Sequence, residues 1–241
     1  MAKRVDRMLR KLSGGGAVKR PEYARRMQMT LAEWVQYYYK EIHFKKVRWM
    51  GHGLSKNVMD AWIIQEIMHE VQPDVVVELG CHRGGSSLYF AHLLDLIGKG
   101  ELIAVDHNLS VFEVSHPRII ALEGDITTRA FAVKIEERCK GKKVLFDHDA
   151  RHDKESVLDA LRRYSHLVSP GSYFIVEDGI VDLFDKGFGP GWYDPGPLAA
   201  IEEFLQENGE FEADESREVY LLTDNPKGYL RRKMSAAPPL R

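Results

Sequence analysis

Carboxylates gathered at two points of the chain carry its clearest chemical signal. The apolar run Lys143–Phe146 opens into Asp147-His148-Asp149-Ala150-Arg151-His152, and the run Ser172–Val176 opens into Glu177-Asp178. Both runs read as buried strands, and parallel strands deliver their carboxyl ends to one edge of a sheet. Three or more carboxylates at one edge repel one another unless protons or a cation compensate. Hard oxygen ligands suit Mg2+, with Mn2+ or Ca2+ as relatives. Asp149, Glu177 and Asp178 are the best trio of ligands, with Asp147 as the alternative to Asp149. Helix caps and surface salt bridges are the plainer use of the same acids.

A second signal lies earlier, in Val75–Ser87, VVVELGCHRGGSS. Val75, Val76 and Val77 form a β-branched run buried on both faces, which Glu78 and Gly80 close. Gly84 and Gly85 allow a tight turn, and Ser86 or Ser87 is placed to cap a helix over about Ser87–Ile97. A strand, a Gly-rich turn and a helix N-terminus present backbone N–H groups to an anionic or carboxylate-bearing ligand. The spacing E-x-G-x-x-x-G-G is not the G-x-G-x-x-G of dinucleotide binders; it fits S-adenosylmethionine, which has no pyrophosphate to cradle. The glycines alone also fit a βα turn of some other α/β protein. The next strand, Glu101–Val105, ends in Asp106, where open α/β sheets put a carboxylate on ribose hydroxyls. After Ile119–Leu122 comes Gly124-Asp125, where a side chain could reach the adenine amino group or simply make a turn.

These residues need elements to hold them. Thr30 and Glu33 have capping-box spacing, and Leu31, Trp34, Val35, Tyr38 and Ile42 then follow one helical face. That aromatic stripe is expected to pack on the sheet domain or on a second subunit, with a lid over the active site as the less favoured alternative, so a homo-oligomer is one expectation. A helix over about Val58–Val71 ends before Pro73. Strand and helix then alternate, with helical patterns at Lys154–Leu167 and Pro197–Glu207. Glu218–Thr223, EVYLLT, reads as the last strand. The alternation predicts a parallel sheet flanked by helices. The loop Phe184–Pro197, with Phe188, Trp192 and Tyr193 among glycines, is the expected acceptor wall, with a packed crossover as the plainer alternative.

Composition narrows the field. The chain has 241 residues, with 34 Lys and Arg against 36 Asp and Glu, a formal charge of −2. That balance argues against nucleic-acid binding as the main function. The basic residues concentrate in Met1–Arg26, where a solvated terminus is the plainer reading and a nucleic-acid or membrane-surface arm the other. Two cysteines, Cys81 and Cys139, suggest no disulfide framework and fit a reducing cytoplasm. No apolar run approaches membrane-spanning length, and the start of the chain lacks a signal-peptide core.

The segments VVVELGCHRGGSS, ELIAVDHN, DARHDKESVLDAL and GSYFIVED together resemble the cephalosporin-hydroxylase / rhamnosyl O-methyltransferase family. The resemblance runs from about Trp49 to Leu230 and includes GPLAAIEEFL at Gly196–Leu205. It implies a class I methyltransferase fold, α/β and Rossmann-like with a mostly parallel sheet ending in an antiparallel strand. An N-terminal segment and helical extension at 1–48 would precede this domain at 49–241. Relatives methylate sugar hydroxyls of macrolides and related natural products, using S-adenosylmethionine and a divalent metal. By that similarity Asp149, Glu177 and Asp178 match the metal ligands and His152 the general base. Glu78, Gly80, Gly84, Gly85, Ser86, Asp106 and Asp125 remain the expected cofactor contacts.

The physical chemistry agrees with that expectation. A sugar hydroxyl is too weak an acid to be a good nucleophile at neutral pH, and coordination to a dication lowers its pKa. A histidine titrates near working pH and can take the departing proton. The sulfonium methyl is already activated, so alignment is the protein's main task. The family name raises an iron- and oxoglutarate-dependent hydroxylase as a competitor. Such sites draw ligands from H-x-D or H-x-E pairs, and none of the ten histidines has an acid two residues later. A non-catalytic cofactor-binding module is the second competitor.

Overall fold

The computed structural model describes residues 27–183 and 195–234. The basic segment at 1–26 and most of the expected acceptor wall, residues 184–194 with Phe188, Trp192 and Tyr193, lie outside the described residues. The chain divides into two compact units between Ile42 and His43.

In the first unit, helix α1 spans Leu31–Tyr38. Thr30 caps it: its hydroxyl accepts from the Glu33 N–H, while the Glu33 carboxylate accepts from the Thr30 N–H at 2.8 Å. The reciprocal pair satisfies two donors that a helix start otherwise leaves bare. Trp34 stacks on Tyr38 at 5.1 Å between ring centroids, as their spacing of four residues dictates.

The second unit is built on helix α2 (Val58–Val71) and a seven-stranded sheet. Its elements alternate as expected: β1 Val75–Leu79, α3 Gly85–Ile97, β2 Glu101–Asp106, β3 Ile119–Glu123, α4 Arg129–Cys139, β4 Val144–His148, α5 Lys154–Tyr164, β5 Tyr173–Val176, α6 Pro197–Glu207, β6 Phe211–Ala213 and β7 Tyr229–Arg232. The strand order is β3-β2-β1-β4-β5-β7-β6. Neighbours from β3 through β5 are parallel, and β7 runs antiparallel to both β5 and β6. This is the Rossmann-like, class I methyltransferase architecture anticipated from the sequence. Every residue of β1, β4 and β5 is buried, because helices cover both faces of the central strands.

One face buries Val75, Val77, Phe146, Phe174 and Val176 against Phe131, Leu161, Tyr164 and Ile201 of the helices. Phe146 sits at the middle of this layer, stacked at 5.2 Å on Phe174 and 5.8 Å from Tyr164. Among the described residues no helix is long and apolar enough to cross a membrane.

Two local expectations are corrected. Glu218–Thr223 is not the last strand; it forms turns, with Leu221 exposed in the left-handed region at φ 62°. The last strand is instead Tyr229–Arg232, YLRR. Its charges disguise it in sequence, yet Arg232 is used: its guanidinium donates to the His166 and Val168 carbonyls. Neither Ser86 nor Ser87 caps α3. Gly84, at φ 85°, takes the cap position and the helix begins at Gly85, two residues before the expected Ser87.

Replacing Phe146 with alanine removes a ring packed on two others, and about 3–5 kcal/mol of stability is expected to go with it. Chemical denaturation of the variant beside the parent measures the loss.

Candidate active site

Strand register sets the site. Glu78 of β1 lies directly beside Asp147 of β4, so both carboxylates emerge on the same face of the sheet. The ladders continue past the strand ends, where the Asp149 N–H donates to the Leu79 carbonyl at 2.8 Å and the Glu177 N–H to the His148 carbonyl at 3.0 Å. Asp147, Asp149 and Glu177 therefore stand side by side at one edge, as the sequence predicts for parallel strands.

What compensates them was not foreseen. Lys56, from the loop before α2, is 1% exposed and places its ammonium among the three acids. Nζ lies 3.1 Å from Asp147 Oδ2 and 3.4 Å from Asp149 Oδ2, and it donates to Glu177 Oε1. The Phe90 ring lies under it, 5.7 Å from centroid to Nζ. Burial by itself would strip the proton from this amine; Asp147, Glu177 and Asp149 outweigh it and hold the ammonium charged. The acids feel the reverse: burial, then the neighbouring Asp147, push the Glu177 carboxyl well above the carboxylate range, against the pull of Lys56. One ammonium does not balance the cluster, so the edge retains an appetite for positive charge.

The outer half of the cluster has metal-site geometry. Asp149, His152 and Asp178 each offer a ligand atom, and these atoms lie within 4.8 Å of one another. His152 Nε2 is 3.5 Å from Asp178 Oδ2. Asp147 is fully buried, whereas Asp149 has 19% of its side chain exposed and is the more accessible of the two aspartates. Glu177 engages Lys56 through Oε1 and sits at the junction of the two halves.

Asp178 is held in an unusual conformation. It adopts φ 60°, which a non-glycine residue takes up only when the surroundings impose it. Its N–H donates to Oδ1 of the buried Asn225 at 3.1 Å. Asn225 belongs to a strap over residues 223–228 that is tied to the start of α2. The carboxylate of Asp60 accepts from the Thr223 hydroxyl at 2.6 Å, the Asp224 N–H at 2.7 Å and the Tyr229 hydroxyl at 2.9 Å. Asn57, the α2 cap, donates its amide to Asp224 at 2.9 Å.

The expected cofactor residues fall into two groups. Glu78 is fully buried and accepts from the Ser87 hydroxyl at 2.5 Å, while its Oε1 has no hydrogen-bond partner among the described residues. Asp106 closes the loop over the turn: its Oδ2 accepts from the His82 N–H at 2.8 Å and its Oδ1 from the Asn108 N–H. Gly80, at φ 101°, is needed for close approach, since a Cβ there would come within 2.0 Å of the Asp149 carbonyl oxygen. Gly85 admits the backbone of Gly53 in the same way, 1.7 Å from an added Cβ. Gly84 is the α3 cap, and Ser86 is buried in the first turn of that helix. Asp125 stands apart from the acids. It is exposed and its Oδ1 accepts from the Thr127 N–H and hydroxyl, which is the local turn weighed as the plainer use of this residue. A depression of about 540 Å3 lies at the opposite end of β4, between Lys142, Ser169 and Arg232, and takes none of these residues.

Against this geometry, the family model described as Rhamnosyl O-methyltransferase/CmcI matches residues 41–233. The chain belongs to this family. Among its relatives, the rhamnosyl O-methyltransferase of Mycobacterium tuberculosis (strain ATCC 25618 / H37Rv) is 32% identical, over 83% of this chain and 84% of its own. The rhamnosyl O-methyltransferase of Mycobacterium leprae (strain TN) is also 32% identical, over 83% of this chain and 90% of its own. A CmcI structure described with Mg and SAM shares the fold at a TM-score of 0.61 and 21% identity, covering 85% of each chain. An apo CmcI structure gives 0.60 at 20% identity, covering 86% of each. The family match spans both the glycine turn and the acidic edge.

Sequence reasoning missed Lys56, Asn57, Asp60, Thr223, Asp224 and Asn225 as parts of the site. Asn57 was legible as a helix cap, and Asn225-Pro226 as a turn. Nothing in GLSKN distinguishes Lys56 from a solvated surface lysine.

A pH test follows from Glu78. Burial pushes its carboxyl up to about 7 from an ordinary 4.5, only partly offset by Lys56. The folded state thus binds this proton more tightly than the unfolded chain. The stabilisation is fully present below about pH 4.5 and is lost as pH rises to about 7. Glu78→Gln removes the penalty, so melting temperatures from pH 5 to 8 are expected to show a gap in favour of the variant that widens with pH.

Proposed function

We propose that this chain is an S-adenosylmethionine- and divalent-metal-dependent O-methyltransferase that acts on a hydroxyl of a sugar. The observation that carries this reading is the convergence of Asp149, His152 and Asp178 at the sheet edge next to the Gly80–Gly85 turn. The family relationship supports it, since the matched mycobacterial relatives are named rhamnosyl O-methyltransferases. The fold argues against the oxoglutarate-dependent hydroxylase alternative, whose usual jelly roll has no place for a parallel βα sheet.

The residues present suit a hard dication. Asp149 and Asp178 offer carboxylate oxygens, Glu177, held by Lys56 through Oε1, is the further candidate, and three carboxyl groups surround the single Lys56 ammonium. A bound divalent cation would supply Lewis acidity that lowers the pKa of an acceptor hydroxyl. S-adenosylmethionine would be held by the Gly80–Ser86 turn, Glu78 and Asp106, with Asp125 as the further candidate, and would supply a methyl group activated by its sulfonium.

This chain's own residues do the rest. His152 accepts the hydroxyl proton, and Asp178, 3.5 Å from its Nε2, orients the imidazole. The Asn225 amide keeps Asp178 turned toward the histidine. Asp149 is held at the sheet edge by its N–H bond to the Leu79 carbonyl, where its carboxylate would help to hold the cation.

His152→Ala is expected to lower kcat roughly a hundredfold or more, the usual scale for a positioned base, while the variant keeps its metal content and melting temperature. Normal turnover in the folded fraction with a lowered melting temperature would make His152 structural. Loss of metal would make it a ligand. Calorimetry supplies the cofactor test: S-adenosylhomocysteine is expected to bind and NAD is not, and the converse result would remove the basis of the assignment.

A further inference from the structure

The Lys56 ammonium is buried where a dication is expected to act, which raises the question of what it does there. Its loop is built to deliver it. Ser55 adopts φ 50°, Asn57 caps α2 immediately afterwards, and Gly85 leaves room for the Gly53 backbone to lie against α3. The side chain then reaches Asp147, Asp149 and Glu177 on two different strand ends. Asp147 has no other cationic partner among the described residues, and its Oδ1 accepts no hydrogen bond there. An acid so placed has no use at a metal that Asp149 and Asp178 face from outside. Its use is to Lys56.

We propose that Lys56 is a resident counter-cation, a positioning residue that holds Asp147, Asp149 and Glu177 together at the sheet edge in the metal-free protein. It carries part of the charge that a dication carries in the loaded one. Asp147 anchors the ammonium from below, and Asp149 and Glu177 are thereby assembled before any ion arrives. Electrostatics makes the two cations alternatives in part, since both neutralise the same carboxylates. The inference deepens the metal-dependent reading of this site and rests on it only for the response to added ion.

The test uses the full chain with Lys56→Met, Asp147→Asn and the double variant, with melting temperature read in EDTA and in excess MgCl2. Lys56→Met is near-isosteric and leaves buried carboxylates uncompensated, a strongly destabilising change. In EDTA it is expected to melt about 10 °C or more below the parent. The double variant is expected to recover at least half of that loss, because the anchor acid is gone along with its cation. In MgCl2, Lys56→Met is expected to gain more in melting temperature than the parent does, since the ion becomes the sole compensator. A double variant no more stable than Lys56→Met would overturn the counter-cation role, whether or not the single variant folds. An Mg2+ gain in Lys56→Met equal to or smaller than that of a responsive parent would overturn it as well. A parent that shows no Mg2+ response, with the EDTA rescue intact, would sink the metal-dependent reading and leave the counter-cation standing.

Discussion

A single ammonium sealed among carboxylates is the constraint from which the arrangement of this site follows. A buried charge costs several kcal/mol unless it is paired and hydrogen-bonded. Lys56 and Asp147 are both almost wholly withdrawn from solvent; Asp147 is compensated by Lys56, and Lys56 by Asp147, Asp149 and Glu177 together. That pairing constrains the backbone on both sides of it. The 53–57 loop must press onto the sheet edge, which requires Gly85 where any side chain would collide with Gly53. Asp149 must leave β4 close to the turn after β1, which requires Gly80. Two glycines that look in sequence like space for a ligand are therefore also the clearance for the acidic edge itself.

The start of α2 serves both halves of the acid array. Lys56 turns inward to Asp147, Asp149 and Glu177, while Asn57 and Asp60 turn toward the 223–228 strap. The strap in turn fixes Asp178 through Asn225. Burial, then the nearby Asp224, hold the Asp60 carboxyl above its ordinary range, although it accepts three hydrogen bonds. The knot is thus polar, dry and expensive to disturb. Such a scaffold suits a reaction in which alignment dominates. When the transferred methyl is already activated, the protein's contribution is to hold oxygen, base and donor in line, and rigid second-layer contacts are how that precision is achieved.

The sequence by itself determined the layered α/β fold, because β-branched runs, helix periodicity, the Thr30 capping box and the Pro73 stop are local and agree with one another. It also brought Asp149, Glu177 and Asp178 to one edge, since parallel strands leave no other place for residues at their carboxyl ends. Only tertiary structure decided the rest. EVYLLT has a strand's composition, yet Leu221 lies in the left-handed region and YLRR takes the sheet position, because pairing with β5 is a long-range choice. Asp147 and Asp149 are two residues apart and indistinguishable in type. One is buried on Lys56 and the other faces outward because β4 ends between them. Lys56 itself carries no mark in sequence. Its role exists only because a loop more than ninety residues before Asp147 folds back over the strand end, and a linear chain records no such distance.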